Sequence, residues 1–169
     1  MEFQIRYGTA WVDDPDRFLA AVREIAAVTG TRIVLFDADR MAGQEHVRSA
    51  LRHAVRSFER REMIARNLEM EALLYASGSR QTRVGRTFGL HAGLNRSYIA
   101  VSEPVGRAWE ELGRLVRFVP EPEGHDPGRR ERLCDLFGIT PEELGAVGED
   151  RLGELVLERI GRASCRERV

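Results

Sequence analysis

Residues 67–89 read NLEMEALLYASGSRQTRVGRTFG, and the reading of the whole chain works outward from them. Leu68 to Ala76 make a strongly apolar helical segment, Ser77-Gly78-Ser79 break it, and a short helix studded with Arg80, Arg83 and Arg86 runs on to Gly89. Gly78 permits the backbone conformation that takes a chain out of one helix and into the next. The second helix then begins with unpaired N–H groups at a positive dipole end, beside the hydroxyls of Ser77 and Ser79 and the guanidinium of Arg80, which suits phosphate. The same residues also read as an ordinary helix–helix connection capped by Ser79. The stretch holds no obvious nucleophile, metal cluster or general base, so a site that binds is expected before one that reacts.

The charge distribution points the same way. The formal net charge is −1, yet residues 40–86 carry ten arginines against five acids, while residues 1–39 and 103–169 are net acidic. All 26 basic residues are arginine, as a GC-rich coding bias would produce, and each can make planar, bidentate contacts to phosphate or carboxylate. Within the basic region Arg48, Arg52, Arg56 and Arg60 follow one another at i,i+4 spacing and line one outer stripe of a helix. Such a stripe reads first as a solvated face. Only Glu45, Glu59 and Glu62 are near enough in sequence to neutralise it, which leaves cations for an anionic partner.

At 169 residues and 43% hydrophobic, the chain is expected to bury one core and form a single domain over residues 1–160. Residues 161–169, GRASCRERV, break the amphipathic pattern and read as a frayed tail or a cloning scar. Cys134 and Cys165 match no metal or redox spacing, and Cys134 sits on an apolar stripe as a small hydrophobe. The N-terminus has no signal-peptide pattern, and no run approaches the ~18 apolar residues of a membrane span. A soluble, cytoplasmic protein with no membrane partner is expected.

The periodicities predict an α+β fold, with a small, mainly antiparallel sheet of three to four strands packed against several α-helices. Strands are expected at 2–7 (Phe3, Ile5 and Tyr7 on one face), at 32–36 as a central strand, and at 97–103. Asp13 or Asp14 caps a helix that begins with Pro15 and stops at Gly30. A helix from Gln44 buries Val47, Ala50, Leu51, Ala54, Val55 and Phe58, and a second runs from Ile64 to Ala76. Further helices fall in VGRAWEELGRLVRF, in RRERLCDLFGI, after the capping signal Thr140-Pro141-Glu142-Glu143, and in RLGELVLERI, while 120–128 is a loop.

Catalytic and cofactor signatures are missing from the sequence. His46, His53, His91 and His125 form no ligand pair, no carboxylates have metal spacing, and there is no GxSxG, P-loop or GxGxxG. No catalytic residues, metal or cofactor are therefore expected. Asp37 and Asp39 follow a strand, where α/β enzymes often place acids, and also where turns and helix caps use them.

The string NLEMEALLYASGSRQTRVGRTFG resembles the signature of the small PRPK-binding subunit of the KEOPS complex: a leucine-rich helix, SG-x-RQ, a short helix and a glycine. The similarity extends loosely over residues 1–160, including the segment DLFGITPEEL. Thr82 departs from the aliphatic residue usual there, and Gly85 would weaken the short helix by ~1 kcal/mol relative to Ala. The resemblance implies a non-catalytic accessory subunit of the complex that makes N6-threonylcarbamoyladenosine in tRNA. It implies as partners the 3′ CCA end of tRNA, as in archaea, the PRPK-type atypical kinase/ATPase subunit and, indirectly, the threonylcarbamoyl transferase. Carried onto this chain, tRNA contact falls on Arg80, Gln81 and Arg83, with Ser77 and Ser79 as lesser members and Arg52, Arg56 and Arg60 following the acceptor stem. Apolar surface for the kinase is expected on the first and last helices, at Leu152, Leu155, Val156 and Ile160. The alternative reading is a protein–protein regulator of a kinase with no direct RNA contact.

Overall fold

The computed structural model describes residues 1–123 and 126–166, with side chains as far as Arg162. In chain order the first elements are β1 (Phe3–Val12), α1 (Pro15–Thr29), β2 (Ile33–Asp37), α2 (Gln44–Arg60), α3 (Leu68–Ser77) and α4 (Thr82–Arg86). They are followed by β3 (Gly93–Ser102), α5 (Ala108–Leu112), β4 (Arg117–Phe118), α6 (Arg129–Phe137), α7 (Pro141–Val147) and α8 (Leu152–Arg166). The fold is α+β with one four-stranded antiparallel sheet, as the periodicities predicted.

The chain gathers into two compact units, Met1–Asp37 with Gly89–Pro122, and Ala38–Phe88 with Glu123–Val169. Each unit is assembled from two separated stretches, so no linker composition marks a boundary along the sequence.

The first unit holds the sheet, in the order β2-β3-β1-β4. β1 and β3 pair without a bulge from Phe3↔Ser102 to Val12↔Gly93, so the first strand runs five residues beyond its expected end. β2 is an edge strand and not the central one predicted. Its run Ile33-Val34-Leu35-Phe36-Asp37 is nevertheless buried at every position. A continuous apolar run reports burial of both faces and says nothing about how many neighbours a strand has. Val22 of α1 and Ala108, Trp109 and Leu112 of α5 close over Ile33, Leu35, Ile99 and Val101 to form the core. α1 starts as expected: the Asp14 carboxylate accepts from the N–H groups of Asp16 and Arg17 at 3.1 and 3.3 Å, and Gly30 ends the helix at φ 67°. α5 is much shorter than the amphipathic pattern suggested, because the chain leaves the helix at Gly113 and Arg117–Phe118 join the sheet beside Gly8 and Thr9.

The second unit is helical. Asn67 caps α3 through its side chain, 2.8 Å from the Met70 N–H, so that helix starts four residues later than expected and Ile64 is left exposed. α3 packs along α2, burying Val47, Ala50, Leu51 and Ala54 as predicted, whereas Phe58 at the end of the stripe is exposed. Two buried polar side chains tie this unit together. The Glu71 carboxylate accepts from the N–H groups of Ile64 and Ala65 at 3.3 and 2.7 Å, pinning the connection that precedes its own helix. The His46 ring accepts at Nδ1 from the Ala42 N–H at 3.0 Å and donates from Nε2 to the Ala76 carbonyl at 2.8 Å, joining the start of α2 to the end of α3. In α7 the Thr140 hydroxyl accepts from the Glu143 N–H at 3.1 Å, and Pro141 takes the first helical position. α8 continues helical to Arg166, through the GRASCR segment expected to fray, and residues 167–169 lie outside the described part.

Candidate nucleic-acid interface

The Ser77–Arg86 segment is built by a chain of hydroxyl contacts around one glycine. Gly78 sits at φ 68° and ends α3, its N–H reaching the carbonyls of Leu74 and Tyr75. The Ser77 hydroxyl donates to the Leu74 carbonyl at 2.9 Å and accepts from the Ser79 N–H at 3.2 Å, so it is committed to the turn. The Ser79 oxygen accepts from the Gln81 N–H at 3.0 Å, which leaves the hydroxyl proton for another partner. Gln81 caps α4, and Arg80, Gln81, Arg83 and Arg86 are all exposed. An Arg83 guanidinium nitrogen lies 3.5 Å from the Gln81 side-chain oxygen, holding these two side chains together.

One element of the sequence argument changes here. α4 is only five residues long, little more than one turn, and too few aligned peptides add up to a useful dipole. The helix end thus gives no reason to expect an anion here, and the polar groups the turn exposes are the guanidinium groups and the Gln81 amide. Gly85 also has a different meaning from the weakening its type predicts. A Cβ there would lie 3.0 Å from Leu74 Cδ2 and 3.3 Å from the Leu74 nitrogen, so the missing side chain lets α4 lie directly against α3.

The arginine stripe of α2 is exposed along its length at Arg48, Arg52, Arg56 and Arg60. Glu45 approaches Arg48 at 3.9 Å, and among the described residues no acid is within ion-pairing distance of Arg52, Arg56 or Arg60. The His46–Ala76 bond sets the polarity of the row. Arg48 lies near the start of α2, and Arg60, twelve residues on, lies about 18 Å further along the axis. Arg48, omitted from the expected contacts, thus shares the half of α2 that meets the end of α3. Only the pairing of α2 with α3 reveals this. Tyr75 stacks on His53 of α2 at 5.2 Å, and its hydroxyl meets Ser57 Oγ at 2.5 Å, while remaining half-buried.

At the residues nominated for the kinase, burial leaves little side chain exposed. Leu155, Val156 and Ile160 are buried, Ile160 against Gly78, and a side chain enclosed by its own chain cannot also present apolar surface to a partner. Leu152 is half-buried.

The acid–histidine candidates come out as follows. His91 Nε2 lies 3.7 Å from Asp37 Oδ2, and its Nδ1 donates to the Ala92 carbonyl at 2.9 Å. The backbone carbonyl of Asp39 accepts from the Arg132 guanidinium. Cys134 is half-buried, and burial pushes its thiol above the ordinary range, against reactivity. His125 and the side chain of Cys165 lie outside the described part. Among the described residues no three His, Cys, Asp or Glu side chains are grouped to hold a metal ion, and no helix is long and apolar enough to cross a membrane.

Fold and surface together define an α+β protein that carries a guanidinium-rich helical face next to a serine-built turn. No protein-family model matches the chain, and no curated protein is significantly similar to it.

Proposed function

We propose that this protein is a non-catalytic, tRNA-binding accessory subunit of the KEOPS type, whose Ser77–Arg86 turn receives the 3′ CCA end. The observation that carries the reading is the exposure of Arg80, Gln81 and Arg83 on a turn whose hydroxyl contacts already fix its shape. Guanidinium groups supply phosphate contacts, and the Gln81 amide and Ser79 hydroxyl supply hydrogen bonds to unpaired base edges and ribose, the combination by which single-stranded RNA ends are read. Arg48, Arg52, Arg56 and Arg60, at steps of about 6 Å, offer a row of cations to the acceptor stem. The resemblance of residues 67–89 to the KEOPS subunit supports this reading and adds the PRPK-type ATPase and the threonylcarbamoyl transferase complex as partners.

The test is a binding titration of the full chain with intact tRNA and with tRNA trimmed of its CCA end. Intact tRNA should bind, trimmed tRNA should bind much more weakly, and Arg83→Glu should weaken binding and reduce the salt slope while the far-UV spectrum stays unchanged. Equal affinity for intact and trimmed tRNA refutes the end-binding role. Capture of the kinase with no tRNA binding at moderate salt would instead identify a protein–protein regulator.

A further inference from the structure

Trp11 of β1 is 70% exposed. The strand register identifies its neighbours. Trp11 pairs with Leu94, itself 47% exposed, while Thr9 lies between Arg96 of β3 and Arg117 of β4. Directly opposed residues of an antiparallel ladder project to one side, so Trp11, Leu94, Thr9, Arg96 and Arg117 share one sheet face. It is the face opposite the one that α1 and α5 cover, since Ile99 and Val101 alternate with these positions. Arg96 and Arg117 are both exposed and are diagonal neighbours of Trp11 on its two sides, about 7–8 Å away between Cα atoms. The indole N–H donates to the Asp13 carboxylate at 2.9 Å, which holds the ring by its edge and uses its hydrogen-bond donor. The π face of the indole stays exposed, one step along this face of β1 from Thr9, which Arg96 and Arg117 flank.

We propose that this face is a stacking platform for an unpaired base of single-stranded nucleic acid, with Arg96 and Arg117 meeting the phosphates on either side. A nucleotide strand brings a flat π face with an anion on each flank, matching all three side chains, whereas an acidic peptide brings charge alone. With the indole donor already engaged, binding is by stacking and tolerates any base. The platform lies in the sheet unit and does not rest on the tRNA reading of the helical unit.

The test is a titration of the full chain with a short oligouridylate at low salt, followed by tryptophan fluorescence. Trp109 is buried in the core and provides an interior reference signal. The exposed Trp11 emission should be quenched, and Trp11→Ala, at an exposed site that leaves the core intact, should weaken binding by about 5- to 100-fold. Trp11→Phe should keep most of the affinity, Arg117→Glu should lower it and its salt dependence, and Arg83→Glu should leave the Trp11 quenching in place. The proposal is overturned by absence of quenching, by equal affinity of Trp11→Ala, or by quenching that Arg83→Glu abolishes. A Trp11 response to polyglutamate or anionic vesicles but not to the oligonucleotide also overturns it, and identifies a protein or lipid partner.

Discussion

Acidification should destabilise the helical unit through His46. The imidazole is buried, and burial lowers its pKa from 6.5 to about 4, with the bond to the Ala76 carbonyl only partly opposing the shift. Geometry gives a second reason. Nδ1 accepts the Ala42 N–H, so a proton added there would set two donors against each other at 3.0 Å. A base whose folded pKa is depressed contributes stability that is complete above its unfolded pKa and is lost as pH falls toward the folded value. The window is therefore pH 6.5 down to about 4. At 1.36 kcal/mol per pH unit, the loss between pH 7 and pH 5 is about 2 kcal/mol. Urea unfolding of the wild type and of His46→Gln at both pH values isolates this contribution, because the other titrating groups are common to the two proteins. The variant should be weaker at pH 7 and should show about 2 kcal/mol less acid sensitivity. Imidazole nitrogen NMR should find the Nε2–H tautomer, with no titration near pH 6.5. Parallel loss of stability in the two proteins, or a His46 pKa near 6.5, refutes the account.

Gly85→Ala improves helix propensity by up to ~1 kcal/mol but drives a methyl against the Leu74 backbone at 3.3 Å, so a net loss of about 1 kcal/mol is expected in thermal or urea unfolding. A stabilised variant would show that α4 is not held against α3 by this contact. Glu71→Leu leaves the buried Ala65 N–H, and the part-buried Ile64 N–H, without their acceptor and should cost about 1–3 kcal/mol. Unchanged stability, with unchanged hydrogen exchange at Ala65, would argue against that role.

Local chemistry was legible in the sequence. Asp14 with Pro15, Gly30, and Thr140 with Pro141 bound their helices as read, because a cap depends on residues within one turn of each other. The stripe Arg48–Arg52–Arg56–Arg60 came out exposed because its spacing matches the helical repeat. The α+β class followed from the change of period between segments. What needed the tertiary structure was every property that depends on residues distant in sequence. The edge position of β2 depends on which strands pair, and the meaning of Gly85 depends on how closely α3 approaches. Burial of Leu155, Val156 and Ile160 is the work of neighbouring helices that an amphipathic pattern cannot name. The same holds at the two candidate surfaces. The sequence by itself determined that residues 40–86 are basic and that Gly78 breaks a helix, since composition and backbone freedom are local. That Arg48 shares the half of α2 that meets the end of α3, and that Trp11 is a diagonal neighbour of both Arg96 and Arg117, was decided by helix pairing and strand register, which the chain sets only when its distant segments meet.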